Sequence, residues 1–222
     1  MLIDEFDKIR ESFGFEEGIH GKEEYFNSVV LVLLIPINGE YHFVFQKRCA
    51  NISQGGEICF PGGKVDECDE TLEKVAIREA IEEMGISEEK IRIIGRLNTI
   101  VAPMGATVDA FVGIAEIGIE EICINQSEVE SIITLPISHF VKEEPERYSV
   151  QVKIHPSYTD KKTGEEIILL PTEQLGLPDI YKRPWGNFKY GVFVYKTNYG
   201  LIWGITSRLI YECACKIREL SK

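Results

Sequence analysis

One segment, residues 60–85, limits most strongly what this chain can fold into and what chemistry it can perform. It reads FPGGKVDECDETLEKVAIREAIEEMG, so two adjacent glycines precede a helix-forming stretch. Glu79, Glu82 and Glu83 have the spacing i, i+3, i+4, which makes them neighbours on one face of a helix. Neighbouring carboxylates repel one another, and a divalent cation with oxygen ligands would offset that repulsion. The segment therefore predicts a metal site on a helix.

The overall composition excludes several classes of protein. The chain has 222 residues, of which 44% are hydrophobic and 27% charged, as is usual for a soluble globular protein. A net charge of -12 argues against binding to nucleic acid or to an anionic membrane. No apolar run reaches the ~18 residues of a membrane span, and the charged N-terminal stretch does not resemble a signal peptide. The six cysteines show no zinc-ligand spacing, so we expect reduced thiols in a cytoplasmic protein.

Hydrophobic patterning predicts an α/β fold. An apolar run at 26–35, the turn signal Asn38-Gly39 and an alternating stretch at 40–46 predict a β-hairpin. Helical periodicity predicts helices at about 71–84 and 205–220. Strands flanking two long helices predict an α/β/α sandwich around a mixed β-sheet.

The chain is expected to form a single domain over residues 1–222, with two additions. Residues 1–24 are predicted to be a short helical extension. Residues 143–190 are predicted to be an irregular insertion in which 148–154 pairs with 166–170. This insertion could be a dimer contact, which leaves a homodimer possible, or a lid over the substrate.

The central segment suggests a reaction. Gly62-Gly63 allow a tight turn and a close approach to a ligand, and a backbone carbonyl there can add a metal ligand. The glutamate oxygens suit Mg²⁺ or Mn²⁺. Arg78 is predicted to point away from the acidic face and to hold Asp69 or Glu70. Metals held in this way neutralise phosphate oxygens and acidify water, so the predicted reaction is attack of water on phosphorus.

These residues resemble the Nudix family, whose signature is G-x5-E-x7-R-E-U-x-E-E-x-G-U, where U is aliphatic. The second half of that signature matches residues 78–86 closely. The first half contains one extra residue, because six residues separate Gly63 from Glu70. This longer form is similar to the branch of coenzyme A pyrophosphatases, which reads approximately FPGG-x-x-D-x-x-D before the helix. Residues 60–69 fit that pattern, and residues 202–206 resemble the branch's I-W-G-x-T.

The resemblance implies a role for each residue of the segment. Glu79, Glu82 and Glu83 would be the metal ligands, with Gly62 or Gly63 adding a backbone carbonyl. Either Glu79 or a glutamate from a later loop, Glu128 or Glu130, would be the general base. Arg78 and Glu70 would complete the catalytic segment as structural supports.

The substrate is predicted to be anionic, so a chain this acidic must place cations locally. The candidate phosphate-binding residues are Lys47, Arg48 and Lys64.

The resemblance implies a pyrophosphohydrolase acting on coenzyme A or acyl-coenzyme A, with 3′,5′-ADP and 4′-phosphopantetheine as products. The branch carries a second arginine between the positions of Arg48 and Gly56, and this chain does not. That difference keeps ADP-ribose, a dinucleoside polyphosphate or a nucleoside triphosphate open as substrates. A third possibility is a regulator that binds a nucleotide without cleaving it.

Overall fold

The computed structural model describes residues 18–66 and 68–220, so most of the helical extension predicted at 1–24 lies outside the described residues. Three α-helices occur in that part of the chain: α1 (Leu72–Met84), α2 (Ile137–Lys142) and α3 (Gly204–Leu220). The strands are β1 (Phe26–Ile37), β2 (Glu40–Arg48), β3 (Ile58–Cys59), β4 (Gly62–Lys64), β5 (Ile91–Arg96), β6 (Ile100–Ala102), β7 (Ala106–Ala115), β8 (Val129–Pro136), β9 (Glu146–Ile154), β10 (Ser157–Thr159), β11 (Glu166–Ile168), β12 (Trp185–Thr197) and β13 (Gly200–Trp203).

The main sheet has eight strands and is mixed. Its central order is β3-β2-β1-β7-β5, with β4 paired to β1, β6 to β7 and β8 to β2. Strands β1 and β7 run parallel, whereas the other pairs in the sheet are antiparallel. The predicted hairpin forms at Asn38 and Gly39, which both have the positive φ angles of a type I′ turn (51° and 82°).

The main sheet has a hydrophobic core on each face, and alternating side chains of β1 contribute to both. Val29, Leu31, Leu33 and Ile35 pack with α1 on one face of the sheet. Val32 and Leu34 pack with α2 and α3 on the other face. A strand with apolar residues on both faces can be covered on both faces by helices, which is why its sequence reads as an uninterrupted apolar run. The predicted α/β/α sandwich around a mixed sheet is confirmed.

The region 143–190 is more regular than the sequence suggested. Strand β9 pairs with β12, from Glu146↔Val194 to Ile154↔Trp185, and β12 also pairs with β13. The predicted pairing of 148–154 with 166–170 is wrong, because residues 166–168 pair instead with residues 157–159. Whether the whole chain is one domain stays a prediction.

Local chemistry fixes both ends of α1. The Thr71 hydroxyl accepts a hydrogen bond from the Lys74 N–H (3.2 Å), and Gly85 ends the helix in the left-handed conformation with φ 65°. The N–H groups of Cys123 and Asn125 then donate to the carbonyls of Met84 and Glu83 (both 2.9 Å). These bonds hold the segment before β8 against the acidic end of α1. Among the described residues, no helix is long and apolar enough to span a membrane.

Candidate active site

The two glycines of the central segment belong to strand β4, which pairs with strand β1. Gly62 and Gly63 are directly opposite Val30 and Val29 in an antiparallel ladder. A Cβ atom on Gly62 would lie 2.4 Å from the Val29 carbonyl oxygen, so only glycine fits there. This close approach places the Gly62-Gly63 backbone beneath helix α1.

Glu79 fills the space that a side chain on Gly63 would need. A Cβ atom on Gly63 would lie 2.4 Å from the Glu79 carboxyl carbon. Only 12% of the Glu79 side chain is exposed. Burial raises the pKa of Glu79, Arg78 opposes that change, and the nearby carboxylates of Glu82 and Glu128 add to it.

Glu83 is a buried carboxylate with Arg48 at the outer limit of ion-pair distance. It is 2% exposed, and its Oε2 accepts a hydrogen bond from the Gly62 N–H (3.0 Å). Its Oε1 lies 3.9 Å from the Arg48 guanidinium. Burial raises the pKa of Glu83 to about 7, although hydrogen bonds from Gln46 and from Gly62 favour the ionised form. A cation at this position would stabilise the ionised carboxylate.

The position of Arg78 differs from the prediction that it points away from the acidic face. Its Nη1 lies 2.8 Å from Glu79 Oε1 and 3.0 Å from Glu82 Oε2, so the guanidinium lies between these two carboxylates. The flexible arginine reaches them because Glu82 is one helical turn away and Glu79 is adjacent in sequence. Arg78 therefore reduces the repulsion that the glutamate spacing creates.

Of the two predicted partners of Arg78, the structure favours Asp69. Arg78 Nε lies 3.7 Å from Asp69 Oδ1, and Nη2 donates to the Lys64 carbonyl (3.5 Å). Glu70 instead makes an exposed ion pair with Lys74. Asp69 is thus the carboxylate that ties the loop to the helix, while Glu70 lies outside the group of side chains around Glu79.

The residues at this position fit a hard divalent cation in chemical type. Glu79, Glu82 and Glu83 supply carboxylate oxygens, and the Glu79 carboxylate lies directly against the Gly63 backbone. Within residues 18–66 and 68–220, however, no three carboxylate, imidazole or thiol groups converge closely enough to hold a metal ion. The contacts that Arg78 makes with Glu79 and Glu82 would have to be replaced when a cation binds.

The three cations predicted to contact phosphate lie in different surroundings. Arg48, at the end of β2, is beside Glu83 and donates through Nε to the Ser53 carbonyl (3.1 Å). Lys47 pairs with Glu130 (2.6 Å). Lys64 is exposed and lies 3.9 Å from Asp66. Arg48 is therefore the one that the fold directs towards the acidic group.

The segment before β8 brings Glu128 close to the same site. The Glu128 carbonyl accepts a hydrogen bond from the Cys49 N–H (2.8 Å), and the Glu128 carboxylate is near enough to contribute to the raised pKa of Glu79. Glu130, the other glutamate considered as a base, is held by Lys47 instead.

Sequence reasoning missed one residue that supports Glu83. Gln46 is 1% exposed, and its amide favours the ionised form of Glu83. The sequence feature that could have identified Gln46 is its position on β2. It is a polar residue on the same strand face as Val44, which is fully buried.

Comparison with known proteins supports the resemblance. The family model described as the NUDIX domain matches residues 27–130. Nudix hydrolase 3 from Caenorhabditis elegans is 33% identical over 117 residues, which are 51% of this chain and 48% of that protein. The mitochondrial coenzyme A diphosphatase NUDT8 from Homo sapiens is 27% identical over 126 residues, or 55% of this chain and 53% of that protein. The chain thus spans about half the length of these two relatives.

A third relative matches over a longer region. The peroxisomal coenzyme A diphosphatase NUDT7 from Mus musculus is 31% identical over 197 residues, which cover 86% of this chain and 70% of that protein. These names assign the human and mouse proteins to organelles, and for this chain a cytoplasmic location stays a prediction. The similarity to NUDT7 extends through most of both chains, and on that evidence this chain belongs to the Nudix family.

Proposed function

We propose that this chain is a metal-dependent pyrophosphohydrolase that cleaves the phosphoanhydride bond of a nucleoside diphosphate linked to another group. Coenzyme A or an acyl-coenzyme A is the proposed substrate, with 3′,5′-ADP and 4′-phosphopantetheine as products. The cofactor is Mg²⁺ or Mn²⁺.

The observation that carries this proposal is the position of Glu79 and Glu83 over the Gly62-Gly63 strand. One carboxylate occupies the space left by Gly63, and the other accepts a hydrogen bond from the Gly62 N–H. Surface glutamates on a solvated helix face would not need this support, whereas ligands of a cation would be held in this manner.

A bound divalent cation would neutralise phosphate oxygens and lower the pKa of a water molecule. Within the chain, Glu79, Glu82, Glu83 and the Gly63 carbonyl would hold the cation. Arg48 would contact a phosphate oxygen of the substrate, since of the three candidate phosphate-binding cations it is the one that lies beside Glu83. Glu128 or Glu79 would accept the proton of the attacking water, and burial raises the pKa of Glu79 in the direction that favours this role.

Two features support coenzyme A as the substrate. Residues 60–69 have the extended FPGG form of the coenzyme A pyrophosphatase branch. In addition, two of the relatives named above are coenzyme A diphosphatases. The proposed partner is therefore a small nucleotide-derived molecule and not a nucleic acid.

A second candidate keeps the reaction and changes the substrate to ADP-ribose, a dinucleoside polyphosphate or a nucleoside triphosphate. Its support is the placement of cations: Arg48 lies at the acidic group, whereas Lys47 and Lys64 have carboxylate neighbours of their own. A substrate with fewer phosphate charges, such as ADP-ribose, would be compatible with one arginine.

The test is incubation of the purified protein with coenzyme A or with ADP-ribose, in Mg²⁺ or in Mn²⁺, with products identified by mass spectrometry. We expect 3′,5′-ADP from coenzyme A, and at least a hundredfold lower rate for Glu83→Gln. Glu73→Gln is the matched control, because Glu73 is an exposed glutamate in the first turn of the same helix. Cleavage of ADP-ribose alone would favour the second candidate, and tight nucleotide binding without any turnover would favour a regulator.

A further inference from the structure

A pocket of about 480 Å³ lies at the end of the main sheet where β1 begins. On one side it is lined by Tyr25 and by the turn between β6 and β7, including Pro103 and Gly105. On the other side it is lined by Phe188 and Tyr190 of strand β12. The pocket therefore lies between the main sheet and the three-stranded sheet of β9, β12 and β13.

Strand β12 is irregular where it presents Phe188 to this pocket. The pairing with β9 advances from Trp185↔Ile154 to Phe188↔Val152, so β12 contains one extra residue, and Gly186 has φ 84°. A β-bulge of this kind turns the side chain that follows it. Phe188 remains 61% exposed, so its ring is accessible to a ligand.

The side chain of Tyr190 is held in position by its contact with Arg208. The guanidinium of Arg208 lies 4.4 Å from the centre of the Tyr190 ring, and Arg208 also donates to the Gly191 carbonyl. The ring of Phe188 meets that of Tyr190 edge to face, with 6.4 Å between the centroids. Because the two rings are inclined at 63°, a planar ligand would stack on one of them and meet the other at its edge.

The lining indicates which part of a ligand the pocket would take. Neither lysine nor arginine lines the pocket, and its ionised side chain is the carboxylate of Glu24. Such a surface disfavours phosphate and favours an uncharged ring whose exocyclic amine can donate a hydrogen bond.

The pocket is also at a suitable distance from the proposed reaction site. Tyr25 immediately precedes β1, and the Phe26 N–H donates to the Gly105 carbonyl (2.9 Å). Three and four residues after Tyr25, Ser28 and Val29 are opposite Lys64 and Gly63. At about 3.3 Å per residue the pocket wall is roughly 10 to 13 Å from the glycine strand, a separation that a ribose can bridge between a diphosphate and a base.

We propose that this pocket binds the nucleobase of the substrate by stacking it on Phe188, with Tyr190 beside it. The inference rests on the proposed function, because it assumes that the ligand of the acidic group is a nucleotide. It assigns the adenosine end of the substrate to β12, and therefore places the other half of the substrate elsewhere.

Binding of product fragments to the metal-free protein tests this assignment without turnover. Calorimetry would measure 3′,5′-ADP, ADP and 4′-phosphopantetheine against the wild type, Phe188→Ala and Phe188→Trp. We expect Phe188→Ala to weaken both adenine nucleotides roughly tenfold or more, the effect of losing one aromatic stack, and to change 4′-phosphopantetheine less than twofold. Phe188→Trp should retain nucleotide binding.

Tyr148→Ala is the matched control, since Tyr148 is an aromatic residue of β9 that is 58% exposed and does not line the pocket. Weaker binding of 4′-phosphopantetheine alone would overturn the proposal and assign the pocket to the other half of the substrate. Unchanged affinities in Phe188→Ala, or a wild type that binds neither nucleotide, would also overturn it. If instead the proposed function is wrong, coenzyme A and ADP-ribose will both remain intact in the turnover assay.

Discussion

The carboxyl group of Glu79 occupies the position where any residue other than glycine at 63 would place its Cβ atom, 2.4 Å away. The backbone of Gly63 has no positive φ angle, so alanine there would not strain the main chain. The three atoms nearest to such a Cβ atom all belong to the Glu79 carboxylate, which is therefore the main reason for glycine at this position.

The first prediction is that Gly63→Ala separates stability from function. The Glu79 carboxylate can move aside at little cost, so the free energy of unfolding should change by less than about 1 kcal/mol. Displacing a ligand by about 1 Å should lower kcat/KM on the order of a hundredfold and weaken Mn²⁺ binding. Urea denaturation, turnover and calorimetric Mn²⁺ titration check the three quantities.

Gly95→Ala is the control for that prediction, because a Cβ atom on Gly95 would meet no atom within 4 Å. Equal metal affinities in the two alanine variants would show that Glu79 is not a ligand.

The second prediction concerns pH and Glu83. Its pKa is raised from 4.5 to about 7, so between these values the folded chain binds more protons than the unfolded chain. Stability of the metal-free protein should therefore fall as pH rises from about 4.5 to 7, by up to about 3 kcal/mol relative to Glu83→Gln. Urea denaturation of both proteins at pH 5 and pH 8 measures the difference. Parallel pH dependence in the two would contradict the raised pKa.

A bound cation should reverse this dependence of stability on pH. If Glu83 is a ligand, it binds as the ionised carboxylate, so affinity for Mn²⁺ should rise with pH up to about 7 and then level off. Calorimetric titration of the wild type across this pH range checks the direction.

The third prediction distinguishes two adjacent cations. Arg48 lies beside Glu83, whereas Lys47 is paired with Glu130 on the surface. Arg48→Gln should lower kcat/KM for the substrate by a factor of about 10 to 100, since it removes the proposed charged hydrogen bond to phosphate. Lys47→Gln should change it by less than about threefold, given the small energies of exposed ion pairs. Steady-state kinetics of both variants tests this, and a larger loss for Lys47→Gln would reverse the assignment.

How far sequence predicts this molecule depends on the range of the interactions involved. The Asn38-Gly39 hairpin and helix α1 were predicted correctly because each is specified by residues close together in the chain. The pairing of β9 with β12 was missed because about thirty residues separate the two strands and no local turn joins them. A local turn at residues 161–163 joins the shorter pair β10 and β11 instead.

In the candidate active site, too, the sequence predicts which residues are neighbours but not how each of them is surrounded. The glutamate spacing placed three carboxylates on one helix face, yet it could not show that Glu83 is buried while 54% of the Glu82 side chain is exposed. That difference arises from the Gly62-Gly63 strand and from Gln46, which cover one end of the row. The position of Arg78 between Glu79 and Glu82 is likewise a choice among nearby carboxylates that spacing alone does not determine.

The fourth prediction concerns Asp109, a buried carboxylate on β7 that is 1% exposed. It lies 2.8 Å from Lys22 Nζ and 2.5 Å from Arg96 Nη2, and it accepts a hydrogen bond from the Thr99 hydroxyl. Burial alone would raise the pKa of Asp109, but these three partners outweigh burial and lower it. The ionised group should therefore stabilise the fold above its unfolded pKa of about 3.8, and lose that effect as pH falls through the lower folded value.

Asp109→Asn should reduce the free energy of unfolding at pH 7 by about 2 to 3 kcal/mol, because it removes the shared partner of two cations. Denaturation with urea at pH 7 and pH 5 should give the same loss, since the carboxylate is ionised at both. Asp179→Asn is the control: Asp179 pairs with Lys182 while 89% exposed, and its loss should cost less than about 0.5 kcal/mol. If the two variants were equally stable, the Asp109 cluster would contribute no more than a surface ion pair.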